Sequence, residues 1–152
     1  MTGWRVVLHR AQTVVLVLLL AVIAGREFFP VRSVYFDPVA LFVTNTPRGD
    51  PVVLTLDRTI YRRFAGRFAV RVRSITTGSV VAECNISGAG AYLPDAVLPD
   101  PLYLAWLADQ ECADWIAHHP GVYTLGVTWW VDVPLLGEIA VTVESNLFEV
   151  TG

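Results

Sequence analysis

The residue types able to do chemistry fall into four groups along the chain, and the densest lies at 109–119. Asp109, Glu111, Asp114, His118 and His119 stand close together. If 111–118 is helical, Glu111, Asp114 and His118 follow one another at three- and four-residue intervals and share a face. Two carboxylates and an imidazole so placed suit a divalent cation or proton transfer. The same order, acids early and histidine late, also favours a solvated helix through its macrodipole. The second group is Cys84 and Cys112, the only two cysteines, which enclose 27 residues. An even count without a Cys-x-x-Cys motif points to one disulfide in an oxidising compartment, ahead of two buried thiols or a redox centre.

The third group is basic. Arg58, Arg62, Arg63, Arg67, Arg71 and Arg73 crowd into a short stretch, and Arg67, Arg71 and Arg73 alternate with apolar residues. They can form a solvated face paired with acids elsewhere, or hold a phosphate, a lipid headgroup or an acidic partner. The fourth is aromatic: Trp106, Trp115, Trp129 and Trp130. Adjacent Trp129 and Trp130 on a strand must point to opposite faces, so one leaves the core unless the 101–118 segment covers it. An uncovered Trp130, with Trp106 and Trp115, would offer a partner or a glycan an aromatic patch. Asn85-Ile86-Ser87 matches a glycosylation acceptor. There is no Gly-rich phosphate loop, no Ser/His/Asp spacing and no zinc-finger pattern, so neither catalytic residue nor cofactor is predicted.

Charge is unevenly spread. All 11 basic residues are Arg, a usage that fits codon bias in a GC-rich genome, and all lie before residue 76. Against four acids in that half they give +7, and the second half holds ten acids and no base. The halves therefore complement each other on folding. The net charge of −3 argues against nucleic acid as a partner.

What must position these groups begins with an uncharged run at 11–25, between Arg10 and Arg26. At about 15 residues it would span roughly 22 Å as a helix, short of a hydrocarbon core of ~30 Å. That length suits a signal peptide, with Val22 and Ala24 at cleavage positions before Gly25. Trp4 and Phe28-Phe29-Pro30, however, read as interfacial ends of a single-pass anchor with snorkelling Arg10 and Arg26. We read 1–30 as an uncleaved anchor, N-terminus cytoplasmic, and 31–152 as a periplasmic or extracellular domain. Cleavage would make that domain secreted.

From residue 34 short alternating segments predict strands at 34–43 (kinked at Pro38), 52–57, 64–75, 79–86, 121–131 and 138–150. The last carries a bulge near Ser145-Asn146. Turns are expected at 45–51 and 76–78. The stretch 87–101 reads as a Gly/Pro-punctuated connection. Asp100-Pro101 reads as the start of a helix to about residue 108, and 111–118 as a second helix stopped by Pro120-Gly121. Phe68, Val70 and Val72 should face inward, as should Val80, Ala82, Cys84 and Ile86. Tyr123, Leu125, Val127 and Trp129 should line the core side of the longest strand.

Pro120-Gly121-Val122-Tyr123, leading into this penultimate strand, resembles the tyrosine corner of immunoglobulin-like and fibronectin-III-like domains. The final strand, 143–150, is similar to theirs. The resemblance covers about the last 30 residues. It implies an all-β, antiparallel immunoglobulin-like β-sandwich with a short helical insertion, and a Tyr123 hydroxyl bonded to upstream backbone. It departs from antibody domains because no cysteine lies two residues after Tyr123. The layout also resembles small membrane-anchored proteins of unknown role encoded in phages and prophages. Together these imply a non-enzymatic interaction or structural module with a protein partner; a phage lysis-accessory or envelope-associated protein is the alternative function, and a metal-binding protein using 109–119 the second.

Overall fold

The computed structural model describes residues 3–152, with side chains described except at 3–10 and 85–89. The expectations resting on the side chains of Trp4, Arg10, Asn85 and Ile86 lie outside the described residues.

Helix α1, Gly3–Phe28, is 26 residues long, about 39 Å at 1.5 Å per residue. The apolar run thus extends into its flanks. Over Ala11–Phe28 the helix is long and apolar enough to cross a membrane, and none of that window is buried. Pro30 ends it, and a single turn, α2 (Val31–Val34), leads into the β-rich domain. Nine strands follow: β1 (Phe36–Val43), β2 (Thr46–Pro47), β3 (Val53–Ile60), β4 (Phe64–Ser74), β5 (Val80–Tyr92), β6 (Leu102–Tyr103), β7 (Gly121–Val133), β8 (Gly137–Glu144) and β9 (Phe148–Thr151). Two helices, α3 (Leu104–Leu107) and α4 (Gln110–His118), lie between β6 and β7.

The strands make two sheets. One has the order β1-β3-β6. The other runs β2-β9-β7-β4-β5, with β8 also on β7. Strand β7 is the spine of the larger sheet. It pairs with β4 from Tyr123 to Val131 on one side, and on the other with β8 and then β9. Its side chains alternate strictly. Tyr123, Leu125, Val127, Trp129, Val131 and Val133 are buried. These residues join Phe36, Leu54 and Leu56 of the smaller sheet, and Leu104, Leu107 and Ile116 of the short helices, in one core.

The sheets are stitched at one edge. Asn146 accepts from the Val43 backbone N–H at 2.8 Å and donates to its carbonyl at 3.0 Å. Its amide thereby supplies β1 with the pairing that a neighbouring strand would.

Several expectations change. The predicted final strand is two, β8 and β9, because the chain jogs at 145–147. Ser145 holds that jog by bonding both backbone groups of Leu125. Thr46-Pro47, expected in a turn, pairs with β9 in parallel, so the larger sheet is mixed. The Gly-rich stretch after Ser87 is not a connection but the second half of β5, paired with β4 up to Phe64↔Tyr92. On the other side of β4 the close approach is to β7, where a Cβ on Gly66 would stand 2.6 Å from the Trp130 carbonyl oxygen. A register shift between Val72 and Arg73 turns Val80 outward, where it is exposed. Asp100-Pro101 starts no helix, since residues 102–103 pair with β3 and only 104–107 are helical.

The kink at Pro38 is present as a register shift in β1. The helix expected at 111–118 is present as α4, and its cap is one that sequence did not single out: Asp109 accepts from Cys112 N–H at 2.7 Å. The Tyr123 hydroxyl, as the corner motif implies, donates to the His119 carbonyl at 2.9 Å. Tyr123→Phe is expected to lower unfolding stability by about 1 kcal/mol, measured by urea denaturation.

Near the end of the domain where α1 joins, Phe64 stacks on Tyr92 at 4.5 Å, and Phe36 lies edge-on to Trp129. Burial pushes the Tyr92 phenol up to about 12, despite Arg58 and a hydrogen bond with Trp129 that favour the phenolate. Burial also raises Tyr123. An acid whose pKa is raised by folding holds its proton in the native state after the unfolded chain has lost it. Stability should therefore be insensitive to these groups below pH ~10, the ordinary tyrosine value, and fall between there and about 12. Thermal melts across that range should show the decline, blunted in Tyr92→Phe.

Candidate partner-binding surface

Period-two alternation that buries one face of β7 exposes the other. Thr124, Gly126, Thr128 and Trp130 point outward, opposite Arg73, Arg71, Ala69 and Arg67 of β4 and, from Gly126 on, Glu144, Thr142 and Ala140 of β8. Three arginines are arranged on this face. Arg67 grips Glu138 with both arms of its fork, Nε–Oε1 at 3.1 Å and Nη2–Oε2 at 3.0 Å, and its guanidinium lies 4.2 Å above the Trp130 ring. The Arg67 hydrogen bond holds the Glu138 carboxyl below its usual range. Arg71 pairs with Glu83 of β5 at 3.3 Å, the cross-strand contact that the alternation predicts. Arg73 has no ion-pair partner among the described residues.

Between these groups lies an open groove of about 180 Å³. Gly126 forms its floor, where any side chain would fill it. Arg71, Arg73, Glu144 and Val80 wall it, and Thr124, Thr128 and Thr142 supply hydroxyls. Thr128 and Thr142 bond each other across the strands at 2.9 Å. A free guanidinium beside hydroxyls, on paired strands, suits a carboxylate with neighbouring amide groups. The groove's Thr and Gly positions were not singled out from sequence. Their signal was a glycine between threonines in the middle of an otherwise bulky strand.

The other candidates are placed differently. Trp129 is buried in the core and Trp130 is half-buried under Arg67. The cover that sequence assigned to the 101–118 segment is therefore an arginine. Trp115 stacks on His119 at 4.2 Å, and Trp106 is 47% exposed. In the 109–119 cluster His118 Nδ1 is 2.8 Å from the Asp114 carbonyl oxygen, and the Asp114 carboxylate accepts from Gln110 at 2.8 Å. Among the described residues no three His, Cys, Asp or Glu side chains stand together as a metal site. Glu111 lines a shallow cleft with Asp109, Cys112, Trp115 and Glu83 between α4 and β5.

Cys84 of β5 and Cys112 of α4 are at disulfide distance, Cα atoms 6.0 Å apart. The bond ties the helical insertion to the sheet strand bearing Glu83. No protein-family model matches the chain, and no curated protein matches it.

The Arg67–Glu138 pair is solvent-exposed, so its role is to set side-chain positions more than stability. Arg67→Ala should leave the urea unfolding midpoint nearly unchanged. It should return Glu138 upward into the ordinary carboxylate range, read by carboxyl-carbon NMR titration.

Proposed function

We propose that the chain is a non-enzymatic, membrane-anchored interaction module whose β-domain stands outside the cytoplasm and binds a protein partner. In this reading α1 is an uncleaved single-pass anchor with its N-terminus inside. The domain is an immunoglobulin-like β-sandwich, a reading supported by the Tyr123 corner and the two sheets sharing a core. A cysteine pair at bonding distance is consistent with an oxidising compartment.

The observation that carries the proposal is the groove over Gly126, with the unpaired Arg73 beside three threonines. It is built on rigid strands, which keeps the ordering cost of binding low. Its chemistry favours an acidic segment of the partner, a side-chain carboxylate meeting Arg73 and backbone groups meeting the hydroxyls. It lies on the outer face of the larger sheet around Gly126, seven residues along β7 from Val133 at the hairpin, and Arg32, just beyond α1, reaches the Thr142 carbonyl at its margin, 2.8 Å.

Two measurements test this. A C-terminal alkaline phosphatase fusion to the full chain should be active and resist alkaline extraction from membranes; an inactive fusion contradicts the topology. A photo-crosslinking residue at Thr128, in membranes of the source cells, should yield one discrete adduct that the same residue at Tyr103 does not. Arg73→Glu should weaken that capture at least about tenfold, equivalent to ~1.4 kcal/mol. Unchanged capture contradicts the groove as the binding site.

A further inference from the structure

One end of the domain carries Leu135, the most exposed large apolar residue among the described residues. Strand pairings place four segments there: α2 before Phe36, the turn between β3 and β4 (61–63), the loop after Tyr92, and the hairpin between β7 and β8. It is also the end from which α1 leaves. The hairpin reaches back along that helix. A Cβ on Gly25 would stand 3.4 Å from Leu136 Cδ2, and Arg26 Nη2 donates to the Glu138 carbonyl at 3.1 Å. Gly25 lies three residues before the helix ends at Phe28, inside the apolar window Ala11–Phe28. The hairpin tip is therefore level with the last turn of the span, not above it.

Sequence and backbone at that tip are both unfavourable in water. Pro134 and Leu135 occupy the central positions of a turn closed by Leu136 N–H to the Val133 carbonyl, 3.1 Å. Leu135 has φ 70°, the left-handed region that this turn position reserves for Gly or Asn. Its side chain is 96% exposed. A large apolar residue held in a conformation disfavoured for it, and pointed at solvent, gains nothing from the fold. Val97, in the loop after Tyr92, is 91% exposed, and Phe28 is 85% exposed. Tyr61 is exposed beside Arg62 and Arg63, which have no ion-pair partner among the described residues. An apolar hairpin tip, a tyrosine and arginines at the end from which the span leaves match the composition of a bilayer interface. Glu27, Asp95 and Asp132 also lie toward this end, so bulk charge is not the attraction.

We propose that this end of the domain rests in the phospholipid headgroup layer of the bilayer that α1 crosses, with Leu135 as the inserted tip. The inference rests on the anchor reading of α1. Docking of the tip fixes the tilt of the domain and turns the Gly126 groove away from the membrane. Arg62 and Arg63 lie where lipid phosphates would be.

The test uses the full chain in phosphatidylcholine–phosphatidylglycerol vesicles, with trifluoromethyl-phenylalanine at position 135 or, as a control at the opposite end, at Thr77. Flotation with the vesicles after alkaline washing reports the anchor alone. In floated protein, the fluorine signal at 135 should be broadened by headgroup nitroxide lipid and shielded from an aqueous nickel chelate, while that at 77 shows the reverse. A 135 signal as accessible to nickel as the 77 signal overturns the proposal and leaves the anchor standing. It would mean that this end awaits a protein neighbour. Because Gly and Asn suit the turn, Leu135→Asn should keep the fold. It should also cost a fluorine label at position 97 its shielding; retained shielding in that variant overturns the assignment of Leu135 as the tip.

Discussion

The structure depends on the pairing of β7 along both of its edges. A strand hydrogen-bonded on two sides cannot slip by one residue without exchanging its faces. Tyr123, Leu125, Val127, Trp129, Val131 and Val133 must therefore all be inside if any one is. The same constraint places Thr124, Gly126, Thr128 and Trp130 together on the outer face, opposite the β4 arginines. Core and candidate site are thus two consequences of one register. Charge follows from it as well. Arginines of the first half of the chain meet Glu83 on the adjacent strand and Glu138 two strands away across β7, which is how the segregated sequence neutralises part of its charge.

The domain has two unlike ends because α1 joins at one of them. There the exposed groups are large and apolar or cationic, and the hairpin packs against the helix. At the other half of the larger sheet lie the groove and the unpaired Arg73. A protein held by one helix gains direction only if something prevents the domain from swinging freely. The contacts of Gly25 and Arg26 with the β7–β8 hairpin supply part of that restraint.

Much of this was legible in the sequence wherever local pattern and tertiary setting agree. The alternations in β4 and β7, the helix at 111–118, the Pro38 irregularity and the Tyr123 corner are all local signals that the fold respects. Other features were hidden because the deciding contact is remote. Asp100-Pro101 carries the pattern of a helix start, but pairing of Leu102 and Tyr103 with β3 overrides it. The glycines after Ser87 read as a loop, yet pairing with β4 up to Phe64↔Tyr92 carries the strand through them. Glu138 has no local mark, since its partner Arg67 is 71 positions away. Leu135 reads as an ordinary loop residue until its φ and its place beside α1 are known.

Strand β7 is a rigid, doubly paired spine that serves both the core and the groove. Hydrogen–deuterium exchange on the full chain in vesicles, resolved by residue, tests it most directly. The β7 amides from Tyr123 to Val131 should be the slowest to exchange, opening only with global unfolding, while β2 and β6 at the sheet margins exchange first. Exchange of Gly126 and Thr128 as fast as that of Leu102 and Tyr103 would contradict it.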